Sequence, residues 1–164
     1  MNYVTANTMS VSPEAIANEF IDLSKEERGH SLSNLKLQKL VYIAHGFYLG
    51  FCGEPLSNAN AQAWQYGPVF PSLYQNLKKY GAGRVTDHIA TYDKVEKNSQ
   101  EADFIKDIWE AYGNLSAVAL VARTHKPGTP WDEVWKGNGS NTISNDLIKQ
   151  HFEELIKENE LEIN

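Results

Sequence analysis

Apolar residues recur every three or four positions through most of the chain and alternate with polar ones in only one short stretch, a pattern that predicts helices joined by turns. Ser12-Pro13-Glu14 has the form of a helix start. Ser12 caps, Pro13 sits where a missing N–H costs nothing, and Val11 is placed to staple onto Ile16. This helix is expected to run to about Arg28 and stop at Gly29, burying Ile16, Phe20 and Leu23. A second helix follows Ser33, with Leu32 stapled onto Leu37, and reaches about Cys52 before Gly53-Glu54-Pro55 breaks it. Leu37, Leu40, Val41, Ala44, Tyr48 and Phe51 share one face, and Ile43, Phe47 and Leu49 carry apolarity around most of the circumference. Such a helix is central and buried. Gly46 and Gly50, one turn apart on the opposite side, permit another helix to come close.

Ala61 to Tyr66 is the alternating, aromatic stretch and predicts a strand or extended segment ending at Gly67-Pro68. Pro68 to Tyr80 reads as a helix with Val69, Leu73 and Leu77 on one face, terminated by Gly81-Ala82-Gly83. Arg84 to Asn98 is polar. Its Val85, Ile89 and Val95 fit either a short strand, pairing near Trp64, or an irregular excursion. Ser99 caps a helix through Tyr112, and Leu115 to Thr124 follows as an almost continuous apolar helix assigned to the core. Thr129 caps a short helix that carries Pro130 and Trp131 and stops at Gly137-Asn138-Gly139. Ser144 to about Glu160 is amphipathic, with Leu147, Ile148, Phe152, Leu155 and Ile156 inward. The expectation is a mainly α fold: a compact single-domain helical bundle of about six or seven helices with a short β element around residues 61–66. One domain spans 1–164, its core at 12–160 and a short flexible N-terminal tail at 1–11.

Composition narrows the class. At 164 residues, with 41% hydrophobic and 22% charged residues, the chain can bury a core without disulfides, and its single cysteine, Cys52, cannot form an internal bridge. That fits a reducing compartment, so a cytoplasmic location is expected. Met1-Asn-Tyr-Val-Thr-Ala-Asn lacks a basic n-region and an apolar h-region, and no run approaches the roughly 20 apolar residues of a membrane span. Net charge is −6, so no global positive field draws in phosphate backbones, and direct nucleic-acid binding is not expected. An acidic surface suits a basic protein partner instead. Lys36 and Lys39, with Lys78 and Lys79 in the next helix, read as solvated helix surface.

Catalytic chemistry finds little support. None of the five histidines pairs with a His or Cys at the three- or four-residue spacing of helical metal sites, so neither a metal nor another cofactor is expected. Cys52, near the end of an apolar helix, reads as a small hydrophobe rather than a nucleophile. Gly81-Ala82-Gly83 lacks the third glycine of a dinucleotide fingerprint, and Asp132 with Glu133 is explained as first-turn charge. The flank of the central helix that carries Gln38, Tyr42, His45 and Leu49 has two readings. Its imidazole and phenol are either hydrogen-bonded at the core boundary or available to a partner. Trp64, Tyr66, Trp131 and Trp135 are packing anchors that become interface hot spots where they are exposed.

Three blocks, taken together, carry a resemblance: Leu37-Gln-Lys-Leu-Val-Tyr-Ile-Ala44, then Ala63-Trp-Gln-Tyr-Gly-Pro-Val-Phe-Pro71 continuing into Leu73-Tyr74, then Thr124-His125 shortly before Pro130-Trp131. In order and separation they resemble the Panacea domain family, which includes SocA-like antitoxins and GepA-like phage-associated proteins. The resemblance implies a mostly helical antitoxin of a toxin–antitoxin system that neutralises a cognate protein toxin, encoded next to it, by direct binding. It also implies two alternatives: an adaptor delivering a toxin to a ClpXP-type protease, and a phage-associated protein with an unrecognised enzymatic activity. The family supplies no catalytic set. Tyr42, His45, Trp64, Tyr66 and Trp131 are the candidate partner contacts, with the C-terminal helix as a further docking surface.

Overall fold

A helix apolar on nearly every side must be enclosed, and the molecule is built around one. The structure, a computed structural model, describes residues 9–27 and 31–163. Its central element is α2 (Asn34–Cys52), preceded by α1 (Pro13–Glu26). A hairpin follows, made of β1 (Ala61–Trp64) and β2 (Gly67–Val69), and leads into α3 (Pro71–Leu77), which tightens into a single 3₁₀ turn at Lys78–Tyr80. Then come α4 (Gln100–Tyr112), α5 (Ala117–His125), α6 (Pro130–Val134), β3 (Asn141–Ile143) and α7 (Asn145–Ile163). The mainly helical expectation holds. α2 packs against α1, α4, α5 and α7, and Gly53 ends it with φ 76° and an N–H to the Leu49 carbonyl. Side-chain caps start α1, α2, α4, α5 and α6: Ser12, Ser33, Ser99, Ser116 and Thr129 each accept an N–H three residues on.

The two glycines of α2 explain how α7 closes the bundle. A Cβ at Gly46 would lie 2.1 Å from Phe152 Cε2, and one at Gly50 would lie 2.9 Å from Ile156 Cδ1. No side chain fits there, so the bare α2 backbone forms a notch that the Phe152 ring fills. Phe47 meets the same ring edge-on at 4.8 Å.

Several expectations change. α1 ends at Glu26 rather than Arg28, and the stop assigned to Gly29 lies outside the described residues. Pro68 does not begin a helix: Gly67–Val69 is a strand, and the helix starts at Pro71, where a proline again occupies the first turn. β1 is the middle of a three-stranded antiparallel sheet in the order β2-β1-β3, with Trp64 opposite Gly67 and Ala61 opposite Ile143. Its second partner is therefore β3, not the segment at 84–98. That segment has no strand, and it runs as a strap over α1. Asn18 grips it twice, donating to the Ile89 carbonyl at 2.9 Å and accepting the Ile89 N–H at 2.8 Å. Asp93 accepts from the Ser12 N–H at 2.6 Å and the Ser12 hydroxyl at 2.7 Å.

α5 is not core throughout. Leu120 and Thr124 are buried, but Val118 is 77% exposed, because the helix lies on the surface with one face inward. Most of the expected tail lies outside the described residues; at its end Val11 is bound to Leu56 and Asn58 through its backbone.

Candidate functional site

The three sequence blocks meet at the β1–β2 hairpin: the middle block forms it, and the other two clasp it, each by a side chain to a backbone group. From α2, Gln38 accepts the Phe70 N–H at 3.0 Å and Lys39 donates to the Pro68 carbonyl at 2.8 Å. From α6, the Trp131 indole N–H donates to the Trp64 carbonyl at 2.6 Å. Trp131 is itself packed between His125, with ring centroids 4.2 Å apart, and Trp135 at 5.9 Å. Gly67 turns the hairpin at φ 112°, a conformation that favours glycine. A Cβ there would come within 3.1 Å of the Lys39 amine, so the bare backbone also lets the hairpin lie down on that lysine.

Between the hairpin and the start of α2 lies an open groove of about 600 Å³, bounded by Leu35, Trp64, Tyr66, Tyr74 and Lys78, with Lys39 in its wall. Trp64 and Tyr74 meet edge to face with centroids 5.1 Å apart, and the Trp64 indole N–H is satisfied by Gln62. Tyr66 stands at the hairpin tip, 65% exposed. No Asp or Glu lines the groove among the described residues.

Lys36 and Lys39 are not solvated surface. Because α2 is enclosed on nearly every side, both lysines are buried. Lys36 has a partner suited to a cation: it donates at 2.7 Å to the Gly113 carbonyl at the end of α4, over the face of Trp109. Lys39 has less. It is fully buried, the Pro68 carbonyl is its hydrogen-bond partner, and among the described residues no carboxylate pairs with it. Burial lowers its amine to about 7. A hydrogen bond to a charged group returns about 1.5–3 kcal/mol. Desolvating an ion costs several kcal/mol, so the charged form of Lys39 is left under-compensated in the free protein.

The remaining candidates lie inside. His45 is fully buried, accepts the Ser57 N–H on Nδ1 at 3.1 Å and has Asn145 Oδ1 3.0 Å from Nε2. An accepting Nδ1 puts the ring's proton on Nε2, so the neutral imidazole latches α2, the following loop and the start of α7 together. Burial lowers its pKa to about 4. Tyr42 is buried too, and its hydroxyl has no hydrogen-bond partner among the described residues. Its ring lines a cavity of about 60 Å³ with Arg123, Thr129, His151 and Phe152. Burial raises the phenol's pKa. Neither Tyr42 nor His45 offers a contact surface, since the polar flank of α2 is covered by α7 and the loop after α2. Trp131 is nearly as enclosed and acts as a clamp. Of the five candidates, Trp64 and Tyr66 reach the groove.

Sequence reasoning took Lys39 for solvated surface and did not single out Leu35 or Tyr74 as contacts. One signal could have found Lys39: a residue on a helix that is apolar almost all round is interior whatever its own polarity. Cys52 is buried, with the Gln100 amide 3.8 Å from its sulfur, and burial raises its thiol pKa. No group of three His, Cys, Asp or Glu placed to hold a metal occurs among the described residues. No described helix is long and apolar enough to cross a membrane.

Residues 37–132 match the family model described as "Antitoxin SocA-like, Panacea domain". The chain is also similar to Antitoxin SocA of Caulobacter vibrioides (strain NA1000 / CB15N), with 34% identity over 165 residues, covering 91% of this chain and 86% of that protein. No solved structure matches.

Proposed function

The chain belongs to the SocA-like family of antitoxins that carry the Panacea domain, and from that membership we propose that it neutralises a cognate protein toxin by binding it directly. The observation that supports this mode is the aromatic rim of the hairpin groove: Tyr66 is 65% exposed on a turn whose backbone is held by α2 and α6. Exposed aromatic side chains on a rigid support supply contact area at small entropic cost. In this reading Trp64 and Tyr66 touch the toxin, Trp131 holds their strand in place, and Tyr42 and His45 act through the packing of α2. The reading is of binding rather than catalysis, and it is supported at the two histidines weighed as bases: His45 is enclosed by α7 and His125 lies against Trp131.

The toxin is the protein encoded beside this one. A stable complex with it buries about 1,200–2,000 Å². Co-expression tests the reading. The neighbouring gene's product should arrest growth alone, be relieved by this chain and co-purify with it; failure to bind or to relieve toxicity overturns the proposal. Delivery to a ClpXP-type protease requires the same docking and adds a measurable step. Purified chain, toxin and protease separate the two, since only an adaptor accelerates toxin degradation.

A further inference from the structure

Lys39 is an amine buried without a counter-ion among the described residues, and it forms part of the wall of a groove that no described carboxylate lines. That groove belongs to a chain with 21 acidic and 15 basic residues, so the absence of acid there runs against the average of the molecule. The bond to the Pro68 carbonyl calls for a donor but not for a net charge, since one such hydrogen bond returns less than desolvating the ion costs. We propose that the groove receives an apolar segment of the toxin bearing a carboxylate, whose negative charge is held by Lys78 at the rim and attracted by Lys39 from within the wall, while its apolar part packs on Leu35, Trp64 and Tyr66. This rests on the toxin-binding reading and specifies the chemistry of the docked segment.

Lys78 stands at the rim, where it meets an approaching anion first. Lys39 acts deeper, below the hairpin at Pro68. Its charge is little screened there, since water is excluded from around it. An anion in the groove acts on it across that wall and supplies part of the pairing that buried charges ordinarily have. The same contact raises the amine's affinity for its proton, so binding and protonation of Lys39 reinforce each other. The acidic remainder of the surface stays available to basic parts of the same partner. The complementarity is thus local, opposite in sign to the whole-molecule field.

The test compares the wild type, Lys39→Met and Tyr66→Ala against the neighbouring gene's product by calorimetry, with melting curves to check folding. Lys39→Met should stay folded and lose at least tenfold in affinity, and Tyr66→Ala should lose a similar factor. If Lys39→Met binds within twofold of the wild type while Tyr66→Ala is weakened, the groove docks the toxin without a carboxylate and the proposal is overturned. If both variants bind as the wild type does, the groove is not the docking site; the proposal falls and direct toxin binding stands. If the wild type itself fails to bind, the toxin-binding reading falls. A second measurement then decides the groove chemistry, and it also serves if Lys39→Met does not fold. N-acetyltryptophan should shift the Trp64 indole resonance of the wild-type chain, whereas N-acetyltryptophanamide, which lacks the carboxylate, should not. Equal shifts from both, or none from either, overturn the proposal.

Discussion

In the unfolded chain the Lys39 amine keeps its proton to about pH 10; in the folded chain burial brings it to about 7. Between these values the unfolded state binds more protons, so folding stability rises with pH, by up to about 1.4 kcal/mol per pH unit. Lys39→Met removes that term. Melting curves at pH 7 and pH 9 should show the wild type gaining on the variant as pH increases, and parallel curves would mean that the amine is hydrated in the fold. The burial of Lys36 and Lys39 was hard to read because side-chain type argued for surface while the helix around them argued for core. Gly46 and Gly50 were easier, since a missing side chain in a helix costs about 1 kcal/mol and calls for a compensating contact. Tyr42 and His45 fell between: their types allowed either a satisfied interior or a docking face, and only the position of α7 decides.

At the scale of elements, two contacts are strong enough to test individually. A methyl at Gly46 would overlap the Phe152 ring, so Gly46→Ala should cost about 3 kcal/mol or more. Adding Phe152→Ala removes the obstacle, and the double variant should lose less than the sum of the two single losses in urea titrations. Trp131→Phe keeps the ring but leaves the Trp64 carbonyl without its 2.6 Å donor. It should cost about 1–3 kcal/mol and speed amide exchange in β1 and β2. The helices were legible because serine, threonine and proline mark their starts, as at Ser12, Ser33, Ser99 and Thr129. The sheet was legible only in β1. A two-residue hairpin loop usually announces itself as Asn-Gly or Asp-Gly, whereas here it is Gln65-Tyr66 with the positive φ deferred to Gly67. β3 spans three residues with two exposed, too few to show alternation. In α5 apolar composition was mistaken for depth, because a run of Ala, Val and Leu does not say which face is inward.

Across the whole molecule, the strap at 84–98 ties the cap and body of α1 to the segment before α2 through polar contacts. Burial would raise the Asp93 carboxyl, but hydrogen bonds from Thr91 and Ser12 outweigh it and hold it below the usual carboxylate range. A carboxyl depressed in the fold contributes stability above its ordinary value near 4, and that contribution is lost as the pH falls further. Asp93→Asn should therefore expose the strap to limited proteolysis at neutral pH, and the wild type should come to resemble it in acid. The notch at Gly46 has a different reach, one of timing. Phe152 fills it from α7, and β1 receives its second neighbour from residues 141–143, so both closures await the last part of the sequence to be made. A chain whose synthesis has passed α6 but not β3 carries its longest apolar helix with an open seam and its hairpin with a bare edge. Such contacts between distant parts of the sequence also form slowly. In an antitoxin closed this way protection waits on α7, and a fragment ending before residue 141 should fail to give it.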